Sequence, residues 1–176
     1  MYITQYAAGP IWRTNACESL GFKGYPAPLQ HRGATQRGII MPIVDMNSVQ
    51  SAKVEKPFER ELKVIMSPDL DEMVKGFSLI ESILAPNGGC TDYHAHPVSG
   101  ELMIIMSGTG IAFMDGKEYE LKPGMAMYAP PGVEHRTLNT GNEPVRIACV
   151  FVPAIDTSYI IESVKAAKSA GEKNNG

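Results

Sequence analysis

With 176 residues, 44% hydrophobic and 20% charged, the chain holds enough apolar material for one core of ordinary size. That excludes wholesale disorder, and it excludes a cofactor-binding domain followed by a separate substrate domain. The 16 Lys and Arg residues stand against 19 Asp and Glu, a net charge of −3 with no basic run. The footprint of a nucleic-acid or anionic-membrane partner is therefore missing, and the expected partners are a small-molecule substrate and further copies of the chain.

The surplus of turn formers, 17 glycines and 13 prolines, predicts many short elements joined by tight turns. Cys17, Cys90 and Cys149 are odd in number and far apart, which fits neither a disulfide framework nor a zinc ribbon and favours a reducing compartment. The start Met1-Tyr2-Ile3-Thr4-Gln5 lacks the charge and apolar stretch of a signal peptide, and no apolar run approaches the ~20 residues needed to span a bilayer. The expected location is cytoplasmic.

Residues 1–66 read as a long irregular arm, broken by Pro10, Gly21, Gly24, Pro26, Pro28, Gly33 and Gly38, with a short apolar strand at Ile39–Val44 and another at Leu62–Met66. An arm of this length packs on the barrel or crosses to a partner subunit, a common route to a homodimer. Ser67-Pro68, Asp69–Lys75 and Gly76 carry the cap, first-position proline and terminal glycine of a brief helical turn.

From Phe77 onward, strand-like segments recur every eight to twelve residues: Phe77–Leu84, Cys90–His96, Glu101–Ser107, Gly110–Met114, Lys117–Leu121, Met125–Ala129, Glu134–Asn139 and Pro144–Val152. That spacing predicts an all-β sandwich or small barrel over residues 67–155. Asp115-Gly116 is the most specific of the turns, because the pair supplies the positive φ angles of a tight hairpin. Asp156-Thr157-Ser158 caps a short C-terminal helix with Ile160, Ile161 and Val164 on one side, and Lys168–Gly176 reads as a frayed tail, so that 156–176 forms a third segment.

Three of the four histidines fall in this β-rich half beside an acidic residue: His94, His96, Glu101 and His135. In an extended strand His94 and His96 project from one face about 7 Å apart. A turn at Pro97–Gly100 brings Glu101 back beside them on the neighbouring strand. With His135 the set offers three imidazole nitrogens and one carboxylate, suited to Mn, Fe, Co, Ni or Zn, and an octahedral ion would keep two adjacent positions open. His-x-His alone does not separate such a centre from histidines that merely alternate; the glycine and proline frame around it does.

In that frame Gly88, five residues, His94-Ala95-His96, four residues, Glu101, six residues and Gly108 resemble the first motif of the cupin family. Gly124, five residues, Pro130-Pro131-Gly132, two residues, His135, three residues and Asn139 resemble the second, after the short interval of compact single-domain members. The resemblance covers roughly Phe77 to Val152. It implies an all-β double-stranded β-helix barrel, jelly-roll-like, with His94, His96, Glu101 and His135 holding one divalent transition metal per subunit, Mn or Fe being favoured.

Alternation from these positions nominates Cys90, Asp92, Met103, Ile105, Thr137 and Asn139 as substrate-pocket candidates. Arg146 joins them as a carboxylate clamp if its strand faces it inward. Asn139 or Thr137 is the candidate to orient an imidazole, and His31 in the arm reads as a surface histidine. Cysteine dioxygenases resemble this pattern but replace the glutamate that Glu101 retains. Cupin dimethylsulfoniopropionate lyases carry a tyrosine where Met103 stands. The expected function is a metal-dependent enzyme acting on a small oxygen-rich organic acid or carbonyl compound, with dioxygenase-type oxidation ahead of non-redox lyase, decarboxylase or isomerase chemistry and of ligand binding without turnover.

Overall fold

A computed structural model describes residues 43–173. The arm before residue 43, with Cys17, His31 and most of the expected Ile39–Val44 strand, lies outside the described residues. Within them the chain forms β1 (Ala52–Val54), β2 (Arg60–Met66), β3 (Ser78–Leu84), β4 (Gly100–Ser107), β5 (Gly110–Met114), β6 (Lys117–Leu121), β7 (Ala126–Ala129), β8 (His135–Asn139), β9 (Val145–Val152) and α1 (Ser158–Lys173).

The strands make two antiparallel sheets, six-stranded in the order β1-β2-β3-β9-β4-β7 and three-stranded in the order β6-β5-β8. Asp115 and Gly116 take φ of 49° and 71°, so the β5–β6 hairpin closes on a two-residue turn whose twist matches its strands. Strict alternation then decides what faces inward. On β9, Val145, Ile147, Cys149 and Phe151 are buried, and on β8 so are His135, Thr137 and Asn139. Ile80, Leu84, Met103, Ile105, Ala112 and Leu121 fill the space between the sheets.

The described residues correct three boundaries. β1 and β2 are full members of the larger sheet, with β2 paired to β3 from Arg60↔Leu84 to Met66↔Leu79, so the barrel begins before residue 67 and the residues from 52 on belong to it. The segment after Ser67 forms turns rather than a helix: the Ser67 carbonyl accepts from the Leu70 and Asp71 amides, its Oγ accepts from Asp69, and a separate turn closes from the Val74 amide to the Asp71 carbonyl before Gly76 at φ 80°. The C-terminal helix passes through Lys168 to Lys173, six residues that read as the start of a frayed tail.

The outer face of the large sheet carries one fully buried carboxylate, Glu81. Arg146 Nε donates to it at 2.6 Å and Lys63 Nζ lies 3.5 Å away. The same two cations reach the preceding strap, Lys63 to the Met46 carbonyl and Arg146 to the Asn47 side chain. This explains why Arg146 is no pocket residue: its neighbours Val145 and Ile147 point inward, so parity turns it out.

Candidate metal centre

The two sheets each bring part of one cluster. Glu101 stands near the start of β4 in the large sheet and His135 opens β8 in the small one. The loop between β3 and β4 runs beside β8 through bridges Cys90↔Leu138 and His94↔His135, which sets His94 and His96 over the gap between the sheets. Gly89 lets the loop turn tightly against the end of β3, because a Cβ there would lie 2.3 Å from the Ala85 amide nitrogen and 2.7 Å from the Glu59 carbonyl.

One potential ligand atom from each of His94, His96, Glu101 and His135 lies within 4.8 Å of every other. Donors around a single ion with bonds near ~2.1 Å stand roughly 3–4 Å apart, so the set is close to closing on one point. The ring centroids confirm the convergence, at 4.4 Å for His94–His135, 5.0 Å for His94–His96 and 5.7 Å for His96–His135. The outer nitrogens are spoken for: His94 Nδ1 donates to the Asp92 carbonyl and His135 Nδ1 to the Val133 carbonyl, both at 2.9 Å. Those bonds fix each tautomer with Nε2 facing inward, as ligating imidazoles require. The donor set therefore fits a divalent transition ion. Backbone carbonyls hold the His94 and His135 rings, the role for which the sequence nominates Asn139 or Thr137, and His96 bonds through Nε2 to Glu101.

Electrostatics among the four side chains run through Glu101. Burial alone would raise its carboxyl, but hydrogen bonds from His135 at 2.9 Å, from His96 at 3.2 Å and from Cys149 outweigh it and hold the value at about 2. Burial works against a charged His135, yet its bond to Glu101 wins and raises it, whereas His94 is lowered chiefly by burial. Burial and the neighbouring Glu101 push the Cys149 thiol well up, so it stays a neutral donor.

The sign of the pH effect follows. Glu101 contributes stability that is present above its ordinary ~4.5 and lost as pH falls toward about 2, and His135 contributes stability that is present below ~6.5 and lost as pH rises through its raised value. A metal must displace the proton on His135 Nε2. The gap in melting temperature between metal-loaded and chelator-treated protein is thus expected to be wider at pH 8 than at pH 5.5, and paired thermal melts at the two values check it.

A cavity of about 230 Å³ opens beside the cluster, small against the roughly 300–1,000 Å³ of drug-sized sites. Of the sequence-nominated residues, Asp92, Met103 and Thr137 line it. Cys90, Ile105, Asn139 and Arg146 do not. The run from Thr91 to Pro97 bends instead of forming a ladder strand, so parity counted back from His94 fails at Cys90, whose Sγ lies 3.5 Å from the Pro57 carbonyl and accepts from Arg136. Ile105 is 1% exposed in the core beyond the cavity, and Asn139 is fully buried with Nδ2 donating to the carbonyls of Leu84, Ala85 and Glu143.

The residues that sequence reasoning missed come from β2, β3, β9 and the C-terminal segment: Arg60, Ser82, Cys149, Phe151, Tyr159 and Ile160. The alternation of Arg60 and Leu62 was a usable signal, once β2 is counted in the sheet.

Known proteins resemble this chain. A family model described as Cupin domain matches residues 81–151. An uncharacterized protein of Methanocaldococcus jannaschii is 35% identical over 92 residues, 52% of this chain and 72% of that protein. An L-ectoine synthase of Bordetella petrii is 34% identical over 80 residues, 46% of this chain and 59% of the synthase. The crystal structure of a predicted oxalate decarboxylase from Thermotoga maritima superposes with a TM-score of 0.58 at 22% identity, covering 64% of this chain and 99% of that one, which speaks to the fold. With the barrel, the two spaced motifs and the four converging donors, these matches identify the chain as a member of the cupin superfamily.

Proposed function

We propose that the chain is a metal-dependent enzyme acting on a small, oxygen-rich organic acid or carbonyl compound, with dioxygenase-type oxidation as its leading reaction. The observation that carries this reading is the convergence of His94, His96, Glu101 and His135 beside a small cavity. A divalent ion held there, Mn or Fe before Zn, Ni or Co, supplies Lewis acidity and redox chemistry at the positions that four protein donors leave open. The chain's own residues do the rest. Met103, Ile147 and Phe151 form apolar walls that exclude water, Thr137 and Tyr159 offer hydroxyls, and the Glu101 carboxylate stays ionised across the physiological range.

The kinship with a protein named as an L-ectoine synthase supports a second, non-redox reading on the same donors. Dioxygen separates the two. Screening the Mn- and Fe-loaded protein on keto acids, diketones and phenolics is expected to give turnover that consumes oxygen and stops under nitrogen; turnover that persists under nitrogen establishes the non-redox class. Glu101→Gln is expected to abolish either, by about 100-fold or more, because an amide oxygen is a far weaker donor than a carboxylate. Binding without any turnover across the panel defeats the enzyme reading. The proposal extends to a homodimer, checked by light scattering at micromolar concentration, where a monomeric mass removes it.

A further inference from the structure

The cavity beside the four donors has a polar side that the metal chemistry does not use. Arg60 lines it from β2, and it is the one lysine or arginine among the described lining residues. Its Nη1 donates to the carbonyls of Phe58, at 3.0 Å, and Cys90, at 3.3 Å, which anchors one end of the guanidinium. Among the described residues its other nitrogens have no protein acceptor, and no carboxylate comes within 4 Å of it. Asp92 is close enough to be felt by Arg60 but spends its Oδ1 on the Tyr93 amide at 2.8 Å.

Ser82, on the adjacent strand, also lines the cavity. It is 6% exposed, and its hydroxyl has no partner. A buried hydroxyl without a bond is costly unless something else satisfies it, and the unpaired nitrogens of Arg60, which are not buried, stand open to the same partner. Both lie in one wall, since Arg60 and Leu62 share the inner face of β2 and Ser82 is the partner of Leu62 in the ladder. The charge of the lining points the same way once an ion is held: Glu101 and Asp92 together bring two negative charges, and Arg60 with a divalent ion would bring three positive ones.

We infer that Arg60 and Ser82 form an anion subsite, and that the substrate is a small organic acid whose carboxylate sits on them while its remaining oxygens face the His94–His96–Glu101–His135 cluster. A carboxylate accepts two parallel N–H bonds from a guanidinium fork, a match an ammonium does not reproduce. Tyr159, on the first turn of α1, closes the same wall with its phenol in the field of Arg60. The inference rests on the proposed function for the word substrate, but the subsite itself is testable without turnover.

Calorimetric titration of the Mn-loaded and the chelator-treated protein with malonate, and with its neutral diamide malonamide, provides the test. Malonate is expected to bind the unaltered protein about 10-fold or more tightly than the diamide, and Arg60→Gln to erase about 10- to 100-fold of malonate affinity while leaving diamide affinity and metal stoichiometry unchanged. Arg60→Lys restores part of the loss and Ser82→Ala costs about 3- to 5-fold; these two carry the test if Arg60→Gln does not fold. Malonate affinity that is equal in the unaltered and Arg60→Gln proteins overturns the inference, as does absence of malonate binding below about 10 mM. Arg60-dependent malonate binding in a protein that turns nothing over leaves the subsite standing and defeats the enzyme reading. Turnover of a neutral diketone, unchanged by Arg60→Gln and matched by equal malonate binding, does the reverse.

Discussion

Replacing His94 and His135 together by alanine is expected to take bound transition metal from about one equivalent per subunit to none, as read by elemental analysis of protein purified without chelators. The two residues sit on opposite strands of one bridge, His94↔His135, and each is oriented by a carbonyl of its own loop, so removing both leaves Glu101 and His96 as an incomplete clamp. Loss of the ion also removes the stabilisation its binding confers, about 4 kcal/mol for free metal at 1,000 times its dissociation constant. The chelator-treated double variant should melt below the chelator-treated parent, because His135 is 2% exposed and its loss leaves the buried Glu101 carboxylate without its nearest donor, while the Ile80–Leu84–Ile147 core still folds. A metal content unchanged by the double substitution would show the ion to be held elsewhere.

Asn139→Ala is expected to cost about 3 kcal/mol of stability, measured by denaturant unfolding, and to leave metal stoichiometry untouched. Its amide nitrogen donates to three carbonyls, Leu84, Ala85 and Glu143, and its oxygen accepts from Gly141, all around a side chain with no exposed surface. Truncation takes that donor from all three carbonyls, of which Ala85 keeps the bond from the Gly89 amide. The residue pins the end of β3 to the β8–β9 turn, so it supports the metal loop from behind without touching the ion. An Asn139→Ala protein of normal stability that had lost its metal would return the residue to the site.

The same residue illustrates how far the sequence reaches. Turn chemistry is local, and the strands bounded by Asp115-Gly116, Ser107-Gly108 and Pro130-Pro131-Gly132 fall where the turns put them. The donor cluster is legible for a related reason: the spacing of His94, His96, Glu101 and His135 is set by short connections that allow little variation. Pocket walls are another matter. Arg60 is invisible until β2 is known to pair with β3, and Tyr159 until the helix is known to return beside the barrel; neither follows from periodicity in its own segment. The direction of Arg146 stays open in the sequence for want of an anchor on β9, which the Ile83↔Arg146 pairing supplies. Cys90 failed because parity was carried through a stretch that bends.

Ile155, Tyr159 and Ile160 line the cavity from beyond Val152, where the last strand ends, while all four donors lie between His94 and His135. Metal holding and one wall of the binding cavity are thereby written in separable stretches of the gene. A change confined to the segment after Pro153 alters that wall and leaves the four donors in place, provided it keeps Thr157 on Ser67 and Asp69 and Ile160 in the core.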